Sequence, residues 1–389
     1  MTPSTVQIDL VPVKRLVQFS AEIEGDPVKF AVAPIDPIRA SAHSKNPVAD
    51  DGDTGMVVAY SENKCIGYIG ILPIRARIGG VYHKVYSPTT QFVHPDFRKK
   101  PLSGGITVAE SMYQTVIDTG IDQLNTGFNK AGERLHKRRP EWFSALPDYQ
   151  FQHFRLTPFQ PVSSLARRTA LAIKAETFRV GYRVSQKIVD KALYPLVEYT
   201  LNHRSRNWEN WQVIPTDHID QPVRKENHSV TDPYFERNVD TINWMIANPW
   251  YESGGSRHPR YFFSHPHERF EYHAFNVFDP GGEKRGYFVT LISEDNLYTT
   301  LRILDYEIEM PDSEAMILSW VVGFALRERV NDIECAGSFR QAIENIRPLR
   351  RFSSIRTRQY FMFLASGSPL AGKESSITLH YCDGERAFV

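Results

Sequence analysis

The chain has 389 residues, of which 46 are Lys or Arg and 45 are Asp or Glu, so its formal net charge at pH 7 is +1. A composition of 41% hydrophobic and 23% charged residues is typical of a folded globular protein and excludes a disordered or fibrous chain. The near-zero charge argues against a surface that neutralises nucleic-acid phosphates. We therefore expect no DNA partner, and tRNA is not favoured.

The spacing of the cysteines and the length of the apolar runs indicate the cellular compartment of the protein. Cys65, Cys335 and Cys382 have neither a metal-binding spacing nor the pattern of a disulfide framework, which fits a reducing environment. The first residues lack the apolar core of a signal peptide, and no run of 18 apolar residues occurs. We expect a soluble, cytoplasmic protein without a metal site.

The first 160 residues predict a domain of mixed helices and strands. Apolar runs at 57–60 and 66–72 flank the turn-like residues 62–64, a pattern typical of a β-hairpin. Further elements follow in chain order: strands at 81–86, 89–93 and 123–128, a helix that begins near Ser103, and a helix at 131–138.

Residues 161–206 are predicted to form a helical linker. The stretch 162–201 has a helical pattern and carries seven Lys or Arg side chains against three acidic ones. A linker helix with one solvated basic face accounts for this pattern. A helix that lies on an anionic membrane surface is the alternative, so peripheral membrane contact stays open.

Residues 207–389 again predict mixed α and β structure. Short strands surround a turn at 279–282, and a well-patterned helix is expected at 313–328. Because the order of elements resembles that of residues 1–160, we expect duplication of a fold. The predicted fold class is α/β with mixed sheets, in two tandem domains.

The segment from Phe92 to Gly105 is the most informative for function. It reads as a strand end, a tight turn, basic side chains and small residues that open a helix. The N–H groups of a helix start, with the positive end of the helix dipole, can bind a phosphate or pyrophosphate. A surface turn with solvated charges is the alternative interpretation.

Residues 93–98, Val-His-Pro-Asp-Phe-Arg, resemble the coenzyme A-binding motif of the GNAT acyltransferases, and Arg98 falls on the Arg/Gln position of that motif. Residues 129–136 are similar to the family's Asn-x-x-Ala-x-x-Leu-Tyr motif. The resemblance implies acetyl-CoA or another acyl-CoA as co-substrate. It implies the following cofactor-binding residues: Phe92, Val93, Arg98, Lys99, Lys100, Leu102, Ser103, Gly104, Gly105 and Asn129.

Residues 101–136 depart from the family pattern in two places. Pro101 and Ser103 occupy loop positions that are usually glycine, so either the loop is reshaped around Gly104 and Gly105 or the pyrophosphate site is weakened. His136 stands where many members carry the Tyr that protonates the departing thiolate. An imidazole can do the same, but a solvated helix residue is an equal alternative.

The second half resembles tandem GNAT proteins more remotely, through Arg237–Trp244, Asn248–Tyr251 and the terminal Asp383–Glu385. Two-domain proteins of this type are often associated with polysaccharide biosynthesis. Residues 307–312, where a phosphate loop would lie, are acidic, and carboxylates repel a pyrophosphate. We therefore expect one cofactor site, in the first half.

These observations predict an acyl-CoA-dependent N-acyltransferase, with acetyl as the expected acyl group and direct transfer to a small amine such as an amino sugar. His94 or a carboxylate of the second half is the predicted base, and His136 the predicted acid. Two alternatives remain open: a GNAT-fold scaffold that binds no cofactor, and an aminoacyltransferase that uses aminoacyl-tRNA. The sequence indicates no oligomeric state.

Overall fold

The computed structural model describes residues 6–98, 101–102, 105–127, 130–156, 208, 210–220, 233–264, 267–295, 298–346, 350 and 353–384. Its helices are α1 (Leu16–Gly25), α2 (Pro37–Ser44), α3 (Val108–Ile117), α4 (Lys130–Arg138), α5 (Val239–Ala247), α6 (Ser313–Arg327) and α7 (Arg340–Asn345). Its strands are β1 (Val6–Pro12), β2 (Thr54–Ser61), β3 (Lys64–Ile78), β4 (Val81–Val93), β5 (Gln123–Asn125), β6 (Ser144–Ala145), β7 (Tyr149–Arg155), β8 (Gln212–Thr216), β9 (Tyr234–Glu236), β10 (Arg269–Phe278), β11 (Lys284–Asp295), β12 (Tyr298–Ile308), β13 (Asp332–Ala336), β14 (Ser353–Arg358) and β15 (Phe361–Phe363).

The chain divides into two compact units, each assembled from separate segments. Unit 1 comprises residues 1–149, 224–266 and 358–389, and unit 2 comprises residues 150–223 and 267–357. Each unit contains one mixed β-sheet with helices packed on it.

The sheet of unit 1 has the strand order β1-β2-β3-β4-β5-β15-β6, and β9 also pairs with β3. Strands β1 to β4 form an antiparallel meander, β5 pairs with β4 in parallel, and β15 pairs antiparallel with β5. The strand that lies between β5 and β6 is therefore supplied by the last thirty residues of the chain.

The sheet of unit 2 is built on the same plan. Its order is β14-β7-β13-β12-β11-β10-β8. The antiparallel strands β10, β11 and β12 are followed by α6 and by β13, which pairs with β12 in parallel, and β7 pairs antiparallel with β13. The prediction of an α/β fold with mixed sheets is confirmed.

Apolar residues cover both faces of the unit 1 sheet. On one face α1 packs through Leu16, Phe19 and Ile23, and α2 through Ala40, against strand residues such as Tyr68. On the other face α3 packs through Val108, Met112 and Val116. In unit 2 the apolar stripe of α6, Met316, Ile317, Val321 and Ala325, packs against the strands. The periodic positions of α6 predicted this helix.

The division into units differs from boundaries at 160 and 206. Segments 224–266 and 358–389, expected in the second domain, lie in unit 1, where β9 pairs with β3 and β15 with β5. Such pairings join residues that are far apart in sequence, so no local sequence pattern predicts them. The predicted linker 161–206 lies outside the described residues. An acyl-CoA-binding domain at 1–160 and a second domain at 207–389 stay a prediction.

Among the described residues, no helix is both long enough and apolar enough to cross a membrane. In the same residues, no group of three or more His, Cys, Asp or Glu side chains is placed to hold a metal ion.

Met362 of β15 is 0% exposed and packs in the core of unit 1, whereas Ile355 of β14 is 45% exposed. We expect Met362→Ala to lower the free energy of unfolding by about 2–5 kcal/mol, because it leaves a cavity beside β5. Ile355→Ala should cost less than about 1 kcal/mol. Urea denaturation of both variants measures the difference. Equal costs would mean that β15 does not pack in unit 1.

Candidate functional site

Strands β4 and β5 are paired at one end only. The register matches Tyr86 with Gln123, and the described residues contain no later pair, although β4 continues for seven residues to Val93. The two strands therefore diverge towards their carboxyl ends. Such a gap exposes strand edges whose backbone N–H and C=O groups require partners.

Two buried amide side chains of β5 lie beside this gap without hydrogen-bond partners. Gln123 is 0% and Asn125 1% exposed, and neither amide makes a hydrogen bond in the described part of the chain. They alternate with Leu124, which points to the opposite face and packs in the core. Because buried polar groups are nearly always paired, two unpaired amides on one strand face indicate a place where a ligand supplies the partners.

The other strand of the gap is distorted. Opposite Ile69 of β3, strand β4 has two residues, Thr90 and Gln91, so it carries a β-bulge. Thr90 has φ of +44°, a left-handed conformation that is costly for a β-branched residue. The bulge also needs a glycine opposite it: a Cβ on Gly70 would lie 2.6 Å from Oγ1 of Thr89. Backbone strain of this kind concentrates at functional sites.

Phe92 and Val93 form the carboxyl end of β4, and Arg98 follows after the turn at Pro95–Phe97. Phe92 is buried and stacks on Tyr68 with 5.4 Å between ring centroids. The exposed Arg98 folds back and donates from Nε to the carbonyl oxygen of Val93 at 2.8 Å. The strand end and the first basic side chain of the loop are thereby held together. Arg98 is placed at the mouth of the gap.

The helix after this loop begins later than expected. It was predicted to start near Ser103, but α3 begins at Val108 with Thr107 as its N-cap. The loop first closes on itself, because Leu102 N–H donates to the Ile106 carbonyl and Gly105 N–H donates to the Leu102 carbonyl. Gly105 has φ of +79° and open space around its Cβ position. This position therefore requires glycine for the backbone conformation of the turn and not for lack of space.

The amino end of α3 is capped by its own residues. Thr107 and Glu110 form a capping box: the Glu110 carboxylate accepts from the Thr107 N–H at 2.7 Å and from Nε of Arg139 at 2.8 Å. Burial acts to raise the pKa of Glu110, but these hydrogen bonds outweigh it and the pKa is lowered. A carboxylate already occupies this helix end, so the helix dipole contributes less to phosphate binding than predicted.

Glu110 is buried, while Glu133 makes an exposed (i, i+4) pair with Lys137. We expect Glu110→Gln to lower the free energy of unfolding by about 1–3 kcal/mol, because the new amide donor faces the donors of Thr107 and Arg139. The same change at Glu133 should cost much less, because solvent screens this exposed pair. Thermal unfolding of the two variants checks this, and an equal shift would show that the capping box contributes nothing.

His136 lies in the core rather than on the surface. It is 1% exposed, and its ring packs against Tyr113, Phe143 and Phe361 with centroid distances of 4.5–5.3 Å. The solvated-surface alternative is therefore wrong. Its Nδ1–H donates to the Gly132 carbonyl at 2.8 Å. Burial lowers the pKa of His136 to about 4, so the ring is neutral at pH 7 and a weak source of protons.

His94 follows β4 directly and is 39% exposed. Its backbone N–H donates to the Ile66 carbonyl, and its Nδ1 accepts from the Asp96 N–H at 3.4 Å. The ring is therefore oriented by the turn at Pro95–Phe97 and is open to solvent. Its predicted role as a base stays a prediction.

The remaining predicted site residues lie outside the described residues: Lys99, Lys100, Ser103, Gly104 and Asn129. The structure thus brings together the described members Phe92, Val93 and Arg98 at the end of β4, with Leu102 and Gly105 in the loop that follows. Gln123, Asn125 and Thr90 were missed from the sequence. A polar residue on each side of Leu124 in a buried strand was the available signal for the first two.

The buried state of His136 generates a pH dependence of stability. Its pKa is about 4 in the fold against about 6.5 unfolded, so the unfolded chain binds more protons between these values. The contribution of His136 to stability is full above pH 6.5 and falls by up to about 3 kcal/mol as the pH drops towards 4. We expect His136→Phe to flatten this loss, measured by urea unfolding at pH 7 and pH 4.5. His218→Phe, at an exposed site, should leave the loss unchanged. Parallel profiles for wild type and His136→Phe would contradict the assignment.

No protein-family model matches the chain, and no curated protein matches it. Solved structures do show similarity. A GCN5-related N-acetyltransferase from Anabaena variabilis has a TM-score of 0.47 at 12% identity, with 92% of this chain and 72% of that chain covered. Saccharomyces cerevisiae N-myristoyltransferase with bound myristoyl-CoA has 0.45 at 10%, with 93% and 79% covered. Both TM-scores are below 0.5.

Proposed function

We propose that unit 1 binds acyl-CoA in the gap between β4 and β5, and that the protein is an acyl-CoA-dependent N-acyltransferase. The observation that carries this proposal is the pair of unpartnered, buried amides of Gln123 and Asn125 where the two strands diverge. The motif resemblance at residues 93–98 supports it, because the resemblance concerns the end of the same strand.

The residues of the gap suit the pantetheine arm of coenzyme A. That arm is narrow and carries two amide groups, each with one donor and one acceptor. The carboxamides of Gln123 and Asn125 offer both kinds of partner, and so do the backbone edges of the diverging strands. The buried surroundings strengthen such hydrogen bonds, because no water competes for them.

The phosphate end of the site depends on side-chain charge. With Glu110 at the start of α3, Arg98 and the neighbouring Lys99 and Lys100 supply the positive charge for the pyrophosphate. In the family pattern a glycine loop binds the pyrophosphate. In this chain Pro101 stands at one of those glycine positions and has no backbone N–H to donate, so the basic side chains replace the loop. We expect binding in the micromolar range that weakens as salt is added.

When bound, acyl-CoA supplies the thioester. In the transfer the amine nitrogen forms a bond to the acyl carbon, the carbon–sulfur bond breaks, one proton leaves the amine and one reaches the sulfur. His94, oriented at the end of β4, is the described side chain that we propose to take the amine proton. The neutral, enclosed ring of His136 supports α4 by packing, and a solvent proton serves the thiolate.

One acyl-CoA per chain is proposed. In unit 2 the connection between β12 and α6 is acidic, and α6 begins at Ser313 next to Asp312 with Glu314 in its first turn. These carboxylates repel a pyrophosphate. We further propose acetyl as the acyl group and a small amine as acceptor. An amino sugar is the first substrate to test, given the resemblance to two-domain proteins of polysaccharide biosynthesis.

The unpartnered amides generate a prediction in which stability and binding move in opposite directions. Gln123→Met and Asn125→Leu replace each amide by an apolar group of similar size. The protein without ligand should gain about 1–3 kcal/mol of unfolding free energy, because a buried unsatisfied group is removed. Acetyl-CoA affinity should fall about 10-fold or more, because the ligand loses hydrogen-bond partners. Urea denaturation and isothermal titration calorimetry measure the two effects.

Asn46→Leu is the matched control for these variants. The buried Asn46 amide donates to the Pro73 carbonyl and accepts from the Val48 N–H, so its loss should destabilise the fold. Wild-type protein that binds no acetyl-CoA at millimolar ligand would overturn the proposed function and favour a scaffold. A stoichiometry of two would contradict the single site.

A further inference from the structure

The closed end of the gap is the one paired position of β4 and β5 among the described residues, Tyr86 with Gln123. The Tyr86 N–H donates to the carbonyl oxygen of Asp122 at 2.8 Å. The buried Asp122 carboxylate accepts from the Ala365 N–H at 2.7 Å and from Oγ of Ser368 at 2.6 Å. Because these hydrogen bonds hold the start of β5 against β4, the closed end resists widening.

Gly384 covers this closed end. A Cβ at its position would lie 2.4 Å from Cγ2 of Thr126, just after β5, and 3.3 Å from Oγ of Ser87 on β4. The Gly384 backbone therefore bridges the two strands, and a side chain here would collide with β5. The segment before it is held in place, because Nη1 of Arg358 donates to the carbonyl oxygen of Tyr381 at 2.8 Å. A group that reaches the closed end meets this backbone and finds no room beyond it.

Ser87 carries a buried hydroxyl group at the closed end, one residue after Tyr86. The residue is 0% exposed, and its Oγ has no hydrogen-bond partner among the described residues. Since buried hydroxyl groups are nearly always paired, this one indicates a ligand atom that accepts its hydrogen bond.

The direction of acyl-CoA in the gap follows from its charge. Arg98 at the mouth binds the pyrophosphate in the proposed function, so the thioester at the opposite end of the molecule points towards the closed end. We infer that the Ser87 hydroxyl donates a hydrogen bond to the thioester carbonyl oxygen, and that the Gly384 backbone restricts the acyl group to a short chain such as acetyl. The inference rests on the proposed function.

The hydroxyl of Ser87 has a role in the transfer itself. As the amine nitrogen bonds to the acyl carbon, negative charge develops on the carbonyl oxygen, and the Ser87 O–H stabilises that charge without losing its proton. His94 lies at the other end of β4, so water carries the amine proton to it.

Binding to the wild-type chain is tested with three probes by isothermal titration calorimetry. Acetyl-CoA is compared with S-ethyl-CoA, a thioether of similar size that lacks the carbonyl oxygen. We expect acetyl-CoA to bind about 5-fold more tightly, because the thioether cannot accept from the hydroxyl. Hexanoyl-CoA should bind at least about 10-fold more weakly than acetyl-CoA, because the covered end has no room for its chain.

Ser87→Ala should remove the preference for acetyl-CoA over S-ethyl-CoA. Ser20→Ala is the matched control: Ser20 of α1 is 2% exposed and its hydroxyl likewise lacks a partner in the described part of the chain. Both variants should resist urea better than the wild type, because each removes an unsatisfied hydroxyl, but Ser20→Ala should keep the preference. A merely structural role of Ser87 would not separate the two variants.

Infrared spectroscopy of acetyl-CoA with a carbon-13 carbonyl gives a direct signature of the bond. The carbonyl band should move to lower frequency on binding to the wild type and to Ser20→Ala, but not to Ser87→Ala. An unshifted band in the wild type, equal affinities for acetyl-CoA and S-ethyl-CoA, or tight binding of hexanoyl-CoA would overturn the inference. If none of the three probes binds the wild type, it is the proposed function that fails.

Discussion

The parallel pairing of β4 with β5 at a single register position is the constraint on which the rest of the site depends. Had the strands remained paired beyond Tyr86 and Gln123, their backbone groups would be satisfied by each other and no gap would exist. The bulge at Thr90 turns β4 at this point, and Gly70 makes room for it on β3. A strained strand and two unsatisfied amides are costs to stability that a ligand can offset when it binds.

Support for the gap comes from well-packed elements on either side. α3 is anchored by the buried contacts of Glu110 with Thr107 and Arg139, and α4 by the aromatic ring stack around His136. Phe361 of β15 packs on His136 and lies directly opposite Asn125. Rigid supports of this kind hold a site in shape before its ligand arrives, which lowers the entropic cost of binding.

Local elements could be predicted from the sequence, and long-range pairings could not. The β2–β3 hairpin follows from Glu62 and Asn63, which both adopt positive φ, and the apolar stripe of α6 predicts its length. The start of α3 was misplaced because Gly104 and Gly105 suggested a helix opening, whereas the capping box of Thr107 and Glu110 was the stronger signal.

The candidate site was predictable only where a motif marks it. Arg98 and the end of β4 belong to a recognisable pattern, but Gln123 and Asn125 are common residue types whose importance comes from burial without partners. His136 shows the same limit: a helical position beside Lys137 and Arg138 suggests solvent, yet Phe143 and Phe361 enclose it. Burial depends on residues that arrive from other parts of the chain, so a single segment does not reveal it.

The position of β15 has a consequence for synthesis on the ribosome. Strand β5 leaves the ribosome about 240 residues before β15, which at about 5–20 residues per second corresponds to roughly 10–50 s. During that interval one edge of β5 lacks its final neighbour, and nascent chains with an open strand edge are prone to pair wrongly. Completion of unit 1 therefore waits for about 240 further residues to be synthesised, and protection of the nascent chain by chaperones matters more here than for a domain contained in one continuous segment.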